Sequence, residues 1–436
     1  MGVTARLRLL ALRVRAVLAR TFARVFMAVV PPRQQVLVAG LPDSEENSLV
    51  TALALARRFR GRVVLVAVDP GFARSQLALV ARALGMAEAA GRVVVVGKRD
   101  RGTYGEFLRS AVVAYTHGLY DSPRPAGRRV HVNLWHGSGP KWNANANVSQ
   151  RIGADVLATC NEPWGREVAR ALSMPPSTRL VTGNPRQDVM LAGTSREALA
   201  ALGLDPARPV VLWMPTFRTS ARAGSVGLRE GEPLGEGADP LLERLVAGCG
   251  VAGVQLVLKT HRHDDDDYGR LGVHTLTSDD VLGAGLTLYQ LVGLADAMLS
   301  DYSSVWVDYL ATGRSVALHC PDLAAYEKAR GLNDPPLREV AGGLFLETDA
   351  DVDELVADVA AGRVFRTESL AATVAALGAT VGPLAVVPPE GGAHLDSGAG
   401  AGTGPVTGSR ADAMLDELAA IGLDRFGTDL GLTPPR

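Results

Sequence analysis

Two stretches of this chain place residues suited to phosphoryl chemistry directly after apolar strands. The first is Leu294-Ala-Asp-Ala-Met-Leu-Ser-Asp-Tyr-Ser-Ser-Val-Trp-Val-Asp-Tyr-Leu-Ala-Thr-Gly313, which reads as a strand ending at Leu299, a polar turn through Asp301 and Ser304, and a helix stopping at Gly313. Ser303 and Ser304 at a helix start offer hydroxyls and unpaired backbone N–H groups beside the positive end of the helix dipole, which is most naturally a phosphate site. The competing reading is that one serine merely caps the helix. The second stretch is His136-Gly-Ser-Gly-Pro-Lys141, after the strand His131–Trp135. There an imidazole can act as general base beside the charge of Lys141, with two glycines letting backbone approach a ligand; a capped turn is the other possibility.

Three further places qualify. In Gly183-Asn-Pro-Arg-Gln-Asp188, Arg186 is either a phosphate or acceptor contact or half of a local ion pair with Asp188. The strand Val254–Lys259 delivers Thr260-His-Arg-His263 at its carboxyl end, and Val210–Met214 ends in Pro215-Thr-Phe-Arg218. A metal set from His261, His263 and the aspartates at 264–267 is conceivable, but consecutive aspartates more often face solvent and no third ligand has a suitable spacing.

The elements that must hold these groups are strands apolar throughout, alternating with helices, the pattern of parallel sheets covered on both faces. Strands are expected at 35–40, 61–68, 91–97, 111–115, 131–135 and 154–159, then at 210–214, 254–259, 294–299 and 315–319. At 436 residues the chain exceeds one core, so two domains follow, 33–195 and 196–375. A loop rich in Gly, Arg and Glu at 219–240 should lie over the cleft. The remaining 376–436 hold a Pro/Gly/Ser/Ala-rich linker at 386–409 and a short amphipathic helix at 411–421 that docks back on the body.

Composition is that of an ordinary α/β protein, with 47% hydrophobic and 21% charged residues, and a net charge of −1 argues against a dedicated nucleic-acid binder. A single glycine in Gly40-Leu-Pro-Asp gives a dinucleotide cofactor little support. Cys160, Cys249 and Cys320 are far apart and form no Cys-x-x-Cys, suggesting buried thiols in a reducing, cytosolic compartment. Residues 1–32 stand apart. Arg6, Arg8, Arg13, Arg15, Arg20 and Arg24 are matched by no acid up to Val30, and Leu7, Ala11, Val14, Leu18, Phe22, Val25 and Val29 fall on one helical stripe. The arginines interrupt any run long enough to span a bilayer, so the expectation is a helix in the membrane interface with its arginines on anionic lipid; a surface helix packed on the body is the other reading.

Six motifs in order then resemble one family: Asn133-Leu-Trp-His-Gly-Ser-Gly-Pro-Lys141, Gly183–Asp188, Trp213-Met-Pro-Thr-Phe-Arg218, Leu258-Lys-Thr-His261, Ala295–Ser304 and Asp322-Leu-Ala-Ala-Tyr-Glu-Lys-Ala-Arg-Gly331 look like the signature of the CDP-glycerol glycerophosphotransferases of teichoic acid synthesis. The resemblance covers about residues 35–375. It implies a GT-B fold, with an acceptor domain and a CDP-glycerol-binding domain facing across a cleft, and peripheral attachment to the cytoplasmic face of the membrane. It further implies that His136 is the base acting on a glycerol hydroxyl of a lipid-linked acceptor, and that Arg218, His261, Ser303 and Ser304 hold the donor pyrophosphate, with His261 also stabilising the leaving CMP. Lys259 and Asp301 fall in the donor motifs; Lys141, Arg186 and Asp188 fall in those assigned to the acceptor or a secondary role. No cofactor or metal is implied, CDP-glycerol being the donor substrate. The family usually has Thr-Pro where this chain has Ser138-Gly139, and Arg-x-His-Pro where it has Lys259-Thr-His261-Arg262. The remaining alternatives are another CDP-alditol or nucleotide-sugar transferase of the same fold, or a catalytically silent membrane-surface binding protein. The primase and polymerase readings are equally compatible with the motifs.

Overall fold

The computed structural model describes residues 3–142, 152–174, 179–216, 239–260, 271–379, 409–426 and 432. The stretches read from sequence as a cleft loop and a linker lie almost wholly outside them. Seven parallel strands form the first sheet: β1 (Arg33–Ala39), β2 (Arg62–Ala67), β3 (Val93–Gly97), β4 (Ser110–Tyr115), β5 (Val130–Asn133), β6 (Val156–Thr159) and β7 (Arg179–Val181), in the spatial order β3-β2-β1-β4-β5-β6-β7. Five more form the second: β8 (Val210–Trp213), β9 (Gln255–Lys259), β10 (His274–Leu276), β11 (Ala297–Ser300) and β12 (Ser315–Leu318), in the order β10-β9-β8-β11-β12. The architecture is GT-B, with two parallel α/β domains meeting face to face.

Apart from the edge strands β3, β7 and β10, the strands are buried because helices cover both faces. Helix Glu46–Arg58 returns the chain from β1 to β2 and is buried along nearly its whole length, its first turn capped by the Glu45 carboxylate accepting from the Ser48 N–H. One continuous apolar core runs from Val36 and Leu53 in the first domain to Met298 and Trp306 in the second, so the domains are in contact rather than held apart by an open cleft. Trp164 and Trp306 meet edge to face across that boundary, with ring centroids 5.8 Å apart.

Three local features differ from the sequence reading. The edge strands β7 and β10 have three residues each, too few to show a period. The expected strand to Trp135 ends at Asn133, since Trp135 has φ 44° and cannot continue it. The helix expected from Ser304 to Gly313 is a five-residue turn of α-helix, Val305–Tyr309, followed by a 3-10 turn, Leu310–Thr312, that Gly313 closes at φ 67°.

The N-terminal helix, Val3–Val29, lies on the first domain by a narrow face: Ala23 and Met27 are buried, and Arg129 donates to the carbonyls of Met27 and Val30 at the helix end. The apolar stripe foreseen in the sequence points away from the body, with Leu18 64% and Val29 72% exposed. At the other terminus helix Arg410–Phe426 docks on the first domain: both Asp188 oxygens accept from the backbone N–H groups of Arg410 and Ala411, and Arg57 and Arg58 pair with Asp412 and Asp416.

Candidate active site

Strand order reverses between β1 and β4 in the first sheet and between β8 and β11 in the second. Crevices at the carboxyl ends of strands beside such reversals are where open α/β sheets bind ligands. His117 follows β4, His136 follows β5, and Ser303 and Ser304 follow β11.

His136 is held by its own loop. The Asn133 side chain accepts from the Trp135 N–H at 3.0 Å, Asn47 donates to the Trp135 carbonyl at 3.2 Å, and Trp135 adopts the left-handed backbone that turns the chain. The imidazole stacks on His117, centroids 4.5 Å apart and planes 5° from parallel, with Trp135 on its flank. Its Nδ1 is buried without a hydrogen-bond partner. Burial, then the nearby His117, Arg186 and Lys141, hold its pKa well below the usual histidine range. The ring is therefore neutral near pH 7 and able to accept a proton, and negative charge brought in by a substrate raises its basicity.

The second cluster is built by Asp301. Its carboxylate is buried and accepts from the Thr216 N–H at 2.9 Å, the Thr216 hydroxyl at 2.8 Å and the Ser303 N–H at 3.2 Å. It thus joins the ends of β8 and β11 at the reversal point and shapes the serine turn. Ser304 makes no side-chain cap bond, so the cap reading fails for that residue. Ser303 and Ser304 are both half-buried.

The two clusters touch. A Cβ added at Gly137 would lie 2.2 Å from the Ser304 hydroxyl, and one at Gly139 would lie 2.7 Å from the Ser304 Cα. The glycines of the His-Gly-Ser-Gly loop therefore make room for Ser304 of the other domain, which corrects the expectation that their space serves a ligand directly. Asn333 fastens the same loop from the second domain, donating to the carbonyls of Gly139 and Lys141 at 2.7 and 2.8 Å, while Lys141 itself bridges to Leu332. Ser138 is buried, its hydroxyl accepting from Thr159 and its carbonyl from Asn161.

Arg186 does not pair with Asp188. It donates to Asp308 through Nε and Nη2 at 3.1 and 2.6 Å, lies 3.4 Å from Glu45, and bonds the His136 carbonyl at 3.0 Å. Asp308 is fully buried and also accepts from Asn184 and Tyr289 at 2.6 Å each. This interdomain knot holds the base's backbone against the serine turn. Beside it, burial pushes Glu45 up to about 7, with Arg186 pulling it back, and Glu46 up to about 8. Lys259 stands off: its buried ammonium donates to the Thr260 carbonyl and Ser278, and burial lowers it to about 8. His261 and Arg218, and the conceivable metal set at 261–267, lie outside the described residues. Among the described residues no group of three His, Cys, Asp or Glu side chains could hold a metal ion.

Residues 90–374 match the profile of the CDP-Glycerol:Poly(glycerophosphate) glycerophosphotransferase family. The chain belongs to this family. A curated relative, the teichoic acid ribitol-phosphate primase of Bacillus spizizenii, is 32% identical over 151 residues, and the match spans about a third of each protein, 34% of this chain and 34% of the relative. Among solved structures, the wall teichoic acid polymerase TagF superposes with TM-score 0.57 at 17% identity, covering 86% of this chain and 92% of that one. A TagF variant soaked with CDPG superposes with TM-score 0.55 at 15% identity, covering 87% and 94%. At these identities the structures speak for the GT-B fold.

No motif in the sequence singles out His117, Tyr289, Glu45 or Asn47 of this site, and none names Asp308 as its centre. Only Asp308 had a visible signal: a lone acid inside the apolar run Val305-Trp-Val-Asp-Tyr-Leu310 needs a buried partner.

Proposed function

We propose that the chain transfers glycerol phosphate from CDP-glycerol to a hydroxyl of a lipid-linked acceptor at the cytoplasmic face of the membrane, releasing CMP. The observation that carries this reading is the contact between the Gly137–Gly139 segment, which directly follows His136, and the Ser304 turn, which brings the loop of the candidate base to the candidate phosphate-binding serines. In this scheme His136 takes the acceptor's O–H proton and the freed oxygen attacks the phosphorus bearing glycerol. The P–O bond to CMP then breaks, and the electron pair leaves on the CMP phosphate. Ser303, Ser304, Arg218 and His261 hold the charge that builds on the pyrophosphate. Positioning and charge stabilisation supply most of the rate in such transfers. Family membership and a TagF structure soaked with CDPG support the donor class.

A second reading is favoured by the ribitol-phosphate primase relative: the same transfer from CDP-ribitol. Purified protein offered CDP-glycerol, CDP-ribitol or UDP-sugars with a lipid-phosphate acceptor separates the two by which donor releases its nucleotide. Ligand binding without release from any of them favours a silent binding protein.

Attachment to the membrane surface is part of the proposal. It is supported by the outward-facing stripe of Val14, Leu18, Phe22, Val25 and Val29 beside arginines, and among the described residues no helix is long and apolar enough to cross a membrane.

A further inference from the structure

A cavity of about 390 Å³ lies between the N-terminal helix and the first domain, with no residue of the His136 loop or the Ser304 turn in its lining. The helix lines it with Val17, Arg20, Thr21 and Arg24, and the body with Ser122, Arg124, Ile152, Gly153 and Ser173. Three cations and three hydroxyls therefore line one small space, and no lining residue is acidic. Among the described residues no hydrogen bond or ion pair engages Arg20, Arg24 or Arg124; Arg124 acts at a distance on Asp155, whose carboxyl burial raises to about 6.

We infer that this cavity is a binding site for a phosphate ester, separate from the transfer site and opening at the membrane-facing surface. Guanidinium groups match the geometry of phosphate oxygens, and the Thr21 and Ser173 hydroxyls complete the donor set, the Ser122 hydroxyl being taken up by the Leu119 N–H at 3.2 Å. Position adds a second argument. With about 100° of rotation per residue, the Arg20–Arg24 face lies between the buried face, Ala23 and Met27, and the exposed stripe, Leu18, Phe22 and Val25. A helix resting its stripe in the acyl boundary therefore carries these arginines at the level of lipid phosphates. The phosphate is supplied either by a lipid headgroup or by a soluble phosphate ester. The lipid source rests on the membrane-surface reading above; the soluble source does not.

The test uses the full chain. Flotation with phosphatidylcholine vesicles, with or without phosphatidylglycerol, measures the lipid arm, and calorimetric titration with inorganic pyrophosphate and with glycerol phosphate measures the soluble arm. The variant Arg20→Gln/Arg24→Gln/Arg124→Gln is expected to lose on the order of a hundredfold in affinity at low salt in whichever arm the wild type binds. Arg124→Gln alone, on an exposed loop where folding is not at stake, loses about fivefold. The control Arg82→Gln/Arg99→Gln/Arg128→Gln removes the same charge from exposed positions outside the cavity and off the N-terminal helix and keeps most of the affinity; an equal loss there overturns the site in favour of diffuse charge. Leu18→Gln/Phe22→Gln strips the stripe and leaves the cavity. If it abolishes flotation while the triple arginine change, added to it, still lowers pyrophosphate affinity, the cavity stands. A wild type that gives no saturable heat and floats equally with both vesicles refutes the cavity, whatever its transferase activity.

Discussion

Replacing Gly137 by alanine tests the contact between the two clusters. The added Cβ would stand 2.2 Å from the Ser304 hydroxyl, well inside van der Waals contact, at a backbone φ of 135° that disfavours any side chain. Backbone strain of this kind costs about 1–3 kcal/mol, and overpacking a closed contact adds about 1–3 kcal/mol. Only the second part depends on Ser304. Ser304→Gly alone removes the obstructing atoms at a cost of a few tenths of a kcal/mol, since glycine is tolerated at a helix start. Urea unfolding of wild type, Gly137→Ala, Ser304→Gly and the double variant closes a thermodynamic cycle. The expected coupling is about 1–3 kcal/mol, the double variant being more stable than the sum of the single effects predicts. Strict additivity would refute the claim that the His136 loop lies against the serine turn.

The knot beneath that contact gives a second prediction: Asp308→Ala leaves Arg186 buried without its main partner and costs about 3–5 kcal/mol in urea unfolding, and a loss under 1 kcal/mol would contradict the pairing. His117→Phe keeps a ring against His136 but removes a group that depresses its pKa, so the acid limb of the pH–rate profile moves to higher pH; an unmoved limb counts against His136 as the base. Glu46 is the cleanest titration probe, because its carboxyl is raised from 4.5 to about 8, so the folded state holds a proton that the unfolded state has lost. Stability contributed by that group therefore falls as pH rises between about 4.5 and 8, by about 1.4 kcal/mol per unit. Relative to wild type, Glu46→Gln gains stability across that window in thermal melts at a series of pH values, and parallel curves would contradict the assignment.

The sequence made one half of the site readable and hid the other. His136 and Ser303-Ser304 stand out because polar residues able to do chemistry follow apolar runs that can only be strands, and the sheet rule then puts them at a crevice. The groups that position them are long-range: Asp308 meets Arg186 from 122 residues away, and Thr216 meets Asp301 from 85 residues away. No local pattern specifies such partners. Arg186 looked like half of a pair with Asp188 because the two are neighbours in sequence; in the fold Asp188 turns to the helix at Arg410 instead. The glycines at 137 and 139 signalled close backbone approach, but only the folded chain shows that the approaching group is Ser304. The amphipathic stripe was legible from its spacing, and its outward orientation was not, since a helix can dock by either face. The fold class was the easiest part, because apolar strands alternating with helices admit few other arrangements.

The account rests on His136 as the base for phosphoryl transfer. Its most direct test is CMP release from CDP-glycerol in the presence of a lipid-phosphate acceptor, comparing wild type with His136→Ala after matched thermal melts show both are folded. General-base help is worth about 10²–10⁴-fold, so the variant should bind the donor yet release CMP slower by that factor; a folded variant turning over at the wild-type rate would contradict the account.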